Sequence, residues 1–191
     1  MDYPHIPLLL CLVLLYSIQG HAQGISQYDR FQLQEGELYW QNNYEYTGNT
    51  DSVRRAVEKM LKSKAFTFSV IRSDEGYSGK INHFKVNPKQ YGRSYTNTPK
   101  MYWDGEWSGK FVVEVGKGHY LVTIYSLEFQ SETQPVGHYN PEKVRTGQYI
   151  NAVTTNKQSF LKSEFMNLSL MSLSLKDNFD LKNAVIPQNG K

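Results

Sequence analysis

The sequence predicts an α+β domain built on a curved antiparallel sheet, and three observations point to it. An amphipathic helical stripe stands early, at Val53, Ala56, Val57, Met60 and Leu61. Strand-like alternating runs joined by turn residues fill the middle, and a second apolar stretch from Phe160 to Leu175 has helical spacing. The order is strand, helix, four strands, helix (β-α-β-β-β-β-α), with the two helices expected to pack on one face of the sheet.

The chain opens with an apolar run from Ile6 to Ile18, too short to span a membrane but of the length of a signal-peptide core. Gly20 and Ala22 sit at the −3 and −1 positions of a signal-peptidase site. Residues 1–22 therefore read as a secretion signal, with Gln23 as the new amino terminus and no anchor left behind. One feature disagrees: Met1 to Pro7 contains Asp2 and no Lys or Arg, where such a signal is usually basic. The single cysteine, Cys11, leaves with the signal, so the mature domain has no disulfide and no thiolate chemistry. Residues 23–186 are expected to form one domain and residues 187–191 a frayed tail. Losing Asp2 raises the formal charge from +3 to +4, and no block of like charge marks a nucleic-acid tail.

Phe31 and Leu33 alternate with glutamines, and Leu38, Trp40, Tyr44 and Tyr46 continue the pattern as a first strand or hairpin. Gly48-Asn49-Thr50-Asp51 then supplies a breaker, a cap and a first-turn acid for a helix ending near Lys64. Arg54 and Glu58, four apart, predict an ion pair on its polar side. Phe66, Phe68 and Val70 run to a turn at Asp74-Glu75-Gly76 and return through Ile81, Phe84 and Val86 as a hairpin. From Asn87 to Ser108 the pattern lapses into a long loop dense in aromatics. Phe111, Val113 and Val115, the break at Gly116-Lys117-Gly118, and Tyr120, Val122 and Ile124 make the clearest hairpin. A second irregular stretch is expected from Gln130 to Thr155. A helix starting near Asn156 follows, and Phe179, Leu181, Val185 and Ile186 suit a short terminal helix.

Three stretches carry a likeness to a known family: FQLQEGELYWQNNYEYTGNTDSVRRAVEKMLKS from Phe31, SDEGYSGK from Ser73, and GKFVVEVGKGHYLVTIYSLEFQSE from Gly109, with QSFLKSEFMNLSLMSLSL similar in kind. The chain resembles an exported bacterial domain-of-unknown-function family with a TATA-binding-protein-like fold. The aromatic loop at Met101–Trp107 and the stretch from Pro135 to Tyr149 depart from a compact member of it. The resemblance implies a fold and an exported location, and it brings no activity, ligand or catalytic residue.

The candidate chemistry is sparse. His83, His119 and His138 are scattered without the short spacing a metal site uses, so no metal or other cofactor is expected. Neither a nucleophile elbow nor a phosphate-binding glycine loop is present. Asp104 and Glu106 in WDGEW are the right types for a paired acid and base, but Asp104-Gly105 reads more simply as a turn. The most informative stretch interleaves Lys89, Arg93 and Lys100 with Tyr91, Tyr95, Tyr102, Trp103 and Trp107. Of these, Tyr91, Arg93, Tyr95, Tyr102, Trp103 and Trp107 are the candidate ligand contacts. In an exported protein, aromatic and basic groups meet a glycan, a peptide or a protein partner of the envelope rather than nucleic acid. The expected function is thus a non-enzymatic periplasmic or cell-envelope binding protein. The alternatives are a hydrolase using His119 or His138 with Asp104, and a structural envelope component that pairs through its strand edges.

Overall fold

The computed structural model describes residues 24–62, 66–70, 76–133 and 143–182. The expected signal at residues 1–22, the expected turn at Asp74-Glu75, Pro135, His138 and the tail from residue 183 lie outside them. Strands β1 (Gln27–Tyr28), β2 (Phe31–Gln34) and β3 (Glu37–Glu45) precede helix α1 (Thr50–Leu61). Then come β4 (Phe66–Val70), β5 (Gly76–Phe84), the short helix α2 (Lys100–Trp103), β6 (Glu106–Val115) and β7 (His119–Thr133). The chain continues through β8 (Lys143–Gln148), α3 (Tyr149–Val153), the small hairpin β9 (Thr154–Thr155) and β10 (Ser159–Phe160), and α4 (Phe165–Phe179). Among the described residues the main sheet is antiparallel and runs β1-β2-β3-β7-β6-β5-β4, with β8 also paired to β7.

The seven expected elements are all present, and the fold adds to them. β2 joins β3 as a hairpin, while β8, α3 and β9 occupy the stretch that lacks periodicity in the sequence, and β10 lies where the second helix is expected to begin. The aromatic loop is ordered as two 3-10 turns, Pro88–Tyr91 and Tyr95–Asn97, followed by α2. The last long helix begins at Phe165 and not near Asn156. Asn156 and Lys157 take left-handed backbone conformations (φ 50° and 58°) in the turn between β9 and β10, which a right-handed helix cannot contain. Leu161 and Phe160 therefore stand ahead of the helix.

Helix α1 starts where its cap directs: the Asn49 side chain accepts from the Asp51 N–H at 2.7 Å. Val53, Val57, Met60 and Leu61 are buried against the sheet. The expected Arg54–Glu58 pair does not form. Glu58 is taken by Lys62 at 2.7 Å and Arg54 lies 3.9 Å from Asp51, so the charges still pair at helical spacing but one step apart from the expectation. Both long helices cover the same face. Tyr77 donates to the Arg54 carbonyl of α1, and Trp40 donates its indole N–H to Ser172 of α4. Tyr44 and Tyr120 stack at 4.7 Å and donate to the Lys176 and Phe179 carbonyls, which anchors the end of α4 to β3 and β7. Phe66 and Phe111 close on Phe179 from the other side. Burial of these rings is the main source of stability, at roughly 1.5–3 kcal/mol per large apolar side chain.

Gly79 shows why this core tolerates no side chain at one point of β5. A Cβ there would stand 2.1 Å from the Thr67 carbonyl oxygen and 2.7 Å from the Phe68 Cα of β4, neither of which can retreat.

Candidate functional site

With both helices on one face, the other face of the sheet is left largely to polar side chains, with Val112 and Leu121 among them. Register aligns six of them in one row across the strands. Gln32 pairs with Tyr39, Tyr39 with Tyr125, Tyr125 with Lys110, Lys110 with Lys80, and Lys80 with Thr67. The Tyr39 and Tyr125 rings lie 6.1 Å apart, and the Lys110 ammonium stands 6.0 Å from the Tyr125 ring centre. Beside them, Gln32 donates to Gln41, which donates to Thr123, fixing the next row.

A hollow of about 320 Å³ opens alongside this row. Two bulges create it. Asn82 and His83 of β5 oppose the single Ser108 of β6, and Ser126 and Leu127 of β7 oppose the single Gly109, so both neighbours of β6 carry an extra residue at one level. His83 and Ser126 take the left-handed conformation, with φ of 51° and 52°, that such an insertion imposes. At the same level β7 changes partners on its other edge, from β3, whose pairing ends at Tyr39–Tyr125, to β8, whose pairing begins at Glu128–Gln148. The gap between them is the mouth of the hollow. Lys80, Lys110 and Lys157 line it with Glu37 and Glu128, above a floor that includes Leu38 and Leu127. Ser108, Ser126, Asn82 and Gln148 add hydroxyl and amide groups.

No sequence motif marks this place, but the apolar spacing does. The buried positions of β7 run 120, 122, 124 and then 127, and the buried side chains of β5 run Tyr77, Ile81 and then Phe84. Each change of parity marks its bulge.

The aromatic loop is placed differently from the expectation for it. Tyr102 and Trp107 are 1% exposed and belong to the core. Trp107 packs on Tyr102, Phe129 and Tyr149, and the Tyr102 hydroxyl donates to that of Tyr149 at 2.9 Å. This corrects the reading of those two as ligand contacts: a fully enclosed ring reaches no ligand. Tyr91 donates to Asp177 and Arg93 to the Met166 carbonyl, so both tie the loop to α4. Tyr95, 52% exposed, rests against Trp103 at 5.6 Å and donates to Asp104. The loop is thus a brace on the helix side, with Tyr95 as its exposed ring.

Burial pushes the hydroxyls of Tyr44, Tyr91, Tyr102, Tyr120 and Tyr149 well above the usual tyrosine range. Glu106 moves the other way. His83 Nδ1 lies 2.7 Å from its Oε2 and the Lys85 ammonium 3.2 Å from its Oε1, and these hydrogen bonds, His83 first, hold the carboxyl below its ordinary value. Asp104 and Glu106 therefore serve separate clusters. His119 contacts the Lys117 carbonyl in the β6–β7 turn. Among the described residues no group of three His, Cys, Asp or Glu is placed to hold a metal ion. Nor is any helix among them long and apolar enough to cross a membrane, which says nothing of strands.

No family model matches the chain, and no curated protein matches it. Among solved structures, a TBP-like protein from Parabacteroides distasonis aligns over 85% of this chain and all of its own, with a TM-score of 0.53 and 12% identity. The fold is TATA-binding-protein-like. A protein from Bacteroides ovatus, described as of the DUF4468 family, aligns over 87% of this chain and 96% of its own at TM-score 0.43 and 10% identity. The TBP-like architecture agrees with the resemblance read from the hairpin and helix stretches. At such identity the likeness concerns the course of the backbone and not the side chains of the TBP-like sheet, so its row and hollow are read from this chain alone.

Proposed function

We propose that the chain is an exported, non-enzymatic binding protein of the cell envelope that takes its ligand on the open face of the sheet, at the hollow beside Lys80 and Lys110. The observation that carries this reading is the double bulge. It sets a concave, partly apolar pocket beside convergent ammonium, carboxylate, hydroxyl and amide groups, the combination of a small-ligand site. Its volume is at the low end of the ~300–1,000 Å³ of such sites. The signal-like sequence of residues 1–22 supports export, and with it an envelope glycan, peptide or protein as the source of the ligand.

The experiment is expression with the native amino terminus in a Gram-negative host, followed by native mass spectrometry of the exported protein incubated with envelope extracts. A chain beginning at Gln23 that retains a ligand, and loses it in the Lys80→Ala/Lys110→Ala double variant, supports the reading. Uncleaved cytoplasmic protein, or retention indifferent to the double variant, overturns it.

A hydrolase reading has one observation in its favour, the His83–Glu106 pair, since a carboxylate on Nδ1 is how a general-base histidine is oriented. Glu106 is shared with Lys85, however, and both partners are at the surface, which suits a solvated ion cluster.

A further inference from the structure

Resting on the binding reading above, we infer that the ligand of the hollow is an anionic saccharide. Its acid group is held between the ammonium groups of Lys80 and Lys110, and a sugar ring lies against Tyr125 and Tyr39.

Two like charges meet on the open face. Lys80 and Lys110 are direct cross-strand partners there, where like charges oppose each other unfavourably. Among the described residues neither forms a salt bridge. Some surface cations are ion-paired, Arg30 with Asp29, Lys62 with Glu58 and Lys85 with Glu106, and many other described lysines are not; what sets Lys80 and Lys110 apart is that they oppose each other directly. An anionic group between the two ammonium groups resolves the repulsion and receives two charge-assisted hydrogen bonds.

The neighbours of the pair narrow the anion. On one side of Lys110 the same row continues into Tyr125 and Tyr39, two partly buried rings that offer flat apolar area with polar tips, suited to the C–H face of a pyranose. On the other side lies the hollow, whose Asn82, Ser108, Ser126 and Gln148 are of the kind that exchange hydrogen bonds with hydroxyls. Glu37 and Glu128 at the same hollow accept from sugar hydroxyls and repel a continuous polyanion, which disfavours nucleic acid. The volume accommodates one or two sugar residues and not a folded partner.

The test is calorimetric titration of the mature protein with four probes: an oligogalacturonide, its carboxyl-reduced neutral counterpart, a sulfated disaccharide and poly-glutamate. The expected result is binding of the oligogalacturonide, weakened about tenfold by carboxyl reduction and about tenfold by either Lys80→Gln or Lys110→Gln. Added salt lowers it further. Tyr125→Leu weakens the acidic and reduced sugars in parallel. The sulfated probe tells which acid is preferred, and binding of it in place of the uronate, with the same lysine dependence, also supports the proposal. Equal binding of the reduced sugar, lost in Tyr125→Leu and unchanged in the lysine variants, overturns the anionic claim while leaving the hollow a binding site. Binding of poly-glutamate alone overturns the saccharide claim, and no binding of any probe overturns the inference, while retention of an envelope component still decides the broader reading. Both lysines are exposed, and circular dichroism establishes that their variants fold.

Discussion

Lys80 and Lys110 face each other directly across β5 and β6, in the same row that carries Tyr125 and Tyr39. Opposed like charges cost a sheet roughly 0.2–1 kcal/mol. Lys80→Glu is therefore expected to raise the unfolding midpoint in denaturant by a corresponding amount while removing ligand binding. A variant that loses binding by damaging the fold would be destabilised instead, so the opposite signs of the two effects separate a functional lysine from a structural one.

The aromatic loop yields a contrasting prediction. Trp107 is enclosed by Tyr102, Phe129 and Tyr149, so Trp107→Ala should cost roughly 3–5 kcal/mol, measured by chemical denaturation. Tyr149→Phe leaves the Tyr102 hydroxyl without its buried acceptor and should cost about 1–3 kcal/mol. Tyr95→Ala, at an exposed ring, is expected within about 0.5 kcal/mol of the parent.

The buried tyrosines make the alkaline limit of the fold predictable. The folded state keeps Tyr44, Tyr102, Tyr120 and Tyr149 protonated beyond their ordinary value of 10.0, whereas the unfolded chain releases those protons near it. The stabilisation is complete below pH 10.0 and declines as pH rises above it. Spectrophotometric titration should show the exposed tyrosines ionising first and the buried set only with cooperative unfolding. Smooth ionisation of all tyrosines while circular dichroism stays native would contradict this packing.

At the acid end the relevant group is Glu106. Its carboxyl is held below the ordinary 4.5, first by His83 and then by Lys85, so its contribution is present above that value and lost as pH falls through the lowered one. Glu106→Gln should therefore narrow the stability difference between neutral and acidic pH. Denaturation midpoints of parent and variant, compared on either side of pH 4.5, read this directly.

How much of this was legible in the sequence depends on whether local patterning decided the structure. Helix α1 and the β6–β7 hairpin carried clean periods of 3.6 and 2, with an Asn cap and a glycine turn, and both lie where those signals put them. The start of α4 did not, because Phe160 and Leu161 fit a helical period by coincidence while the turn at Asn156-Lys157 had already interrupted the chain. The Tyr102 and Trp107 rings looked like a recognition surface because composition does not reveal which side of a strand or short helix faces the core. Register is harder still. Nothing local to Lys80 announces Lys110 as its partner, since that pairing is set by the length of the intervening connection and by the bulge in β5.

The most direct measurement of the central claim is an amide chemical-shift map of the mature protein titrated with oligogalacturonide. The account predicts shifts concentrated at Tyr39, Lys80, Asn82, Lys110, Tyr125 and Ser126, with little change at Tyr95 or along α4. Shifts confined to Tyr95, Trp103 and α4, with the open face silent, would contradict it.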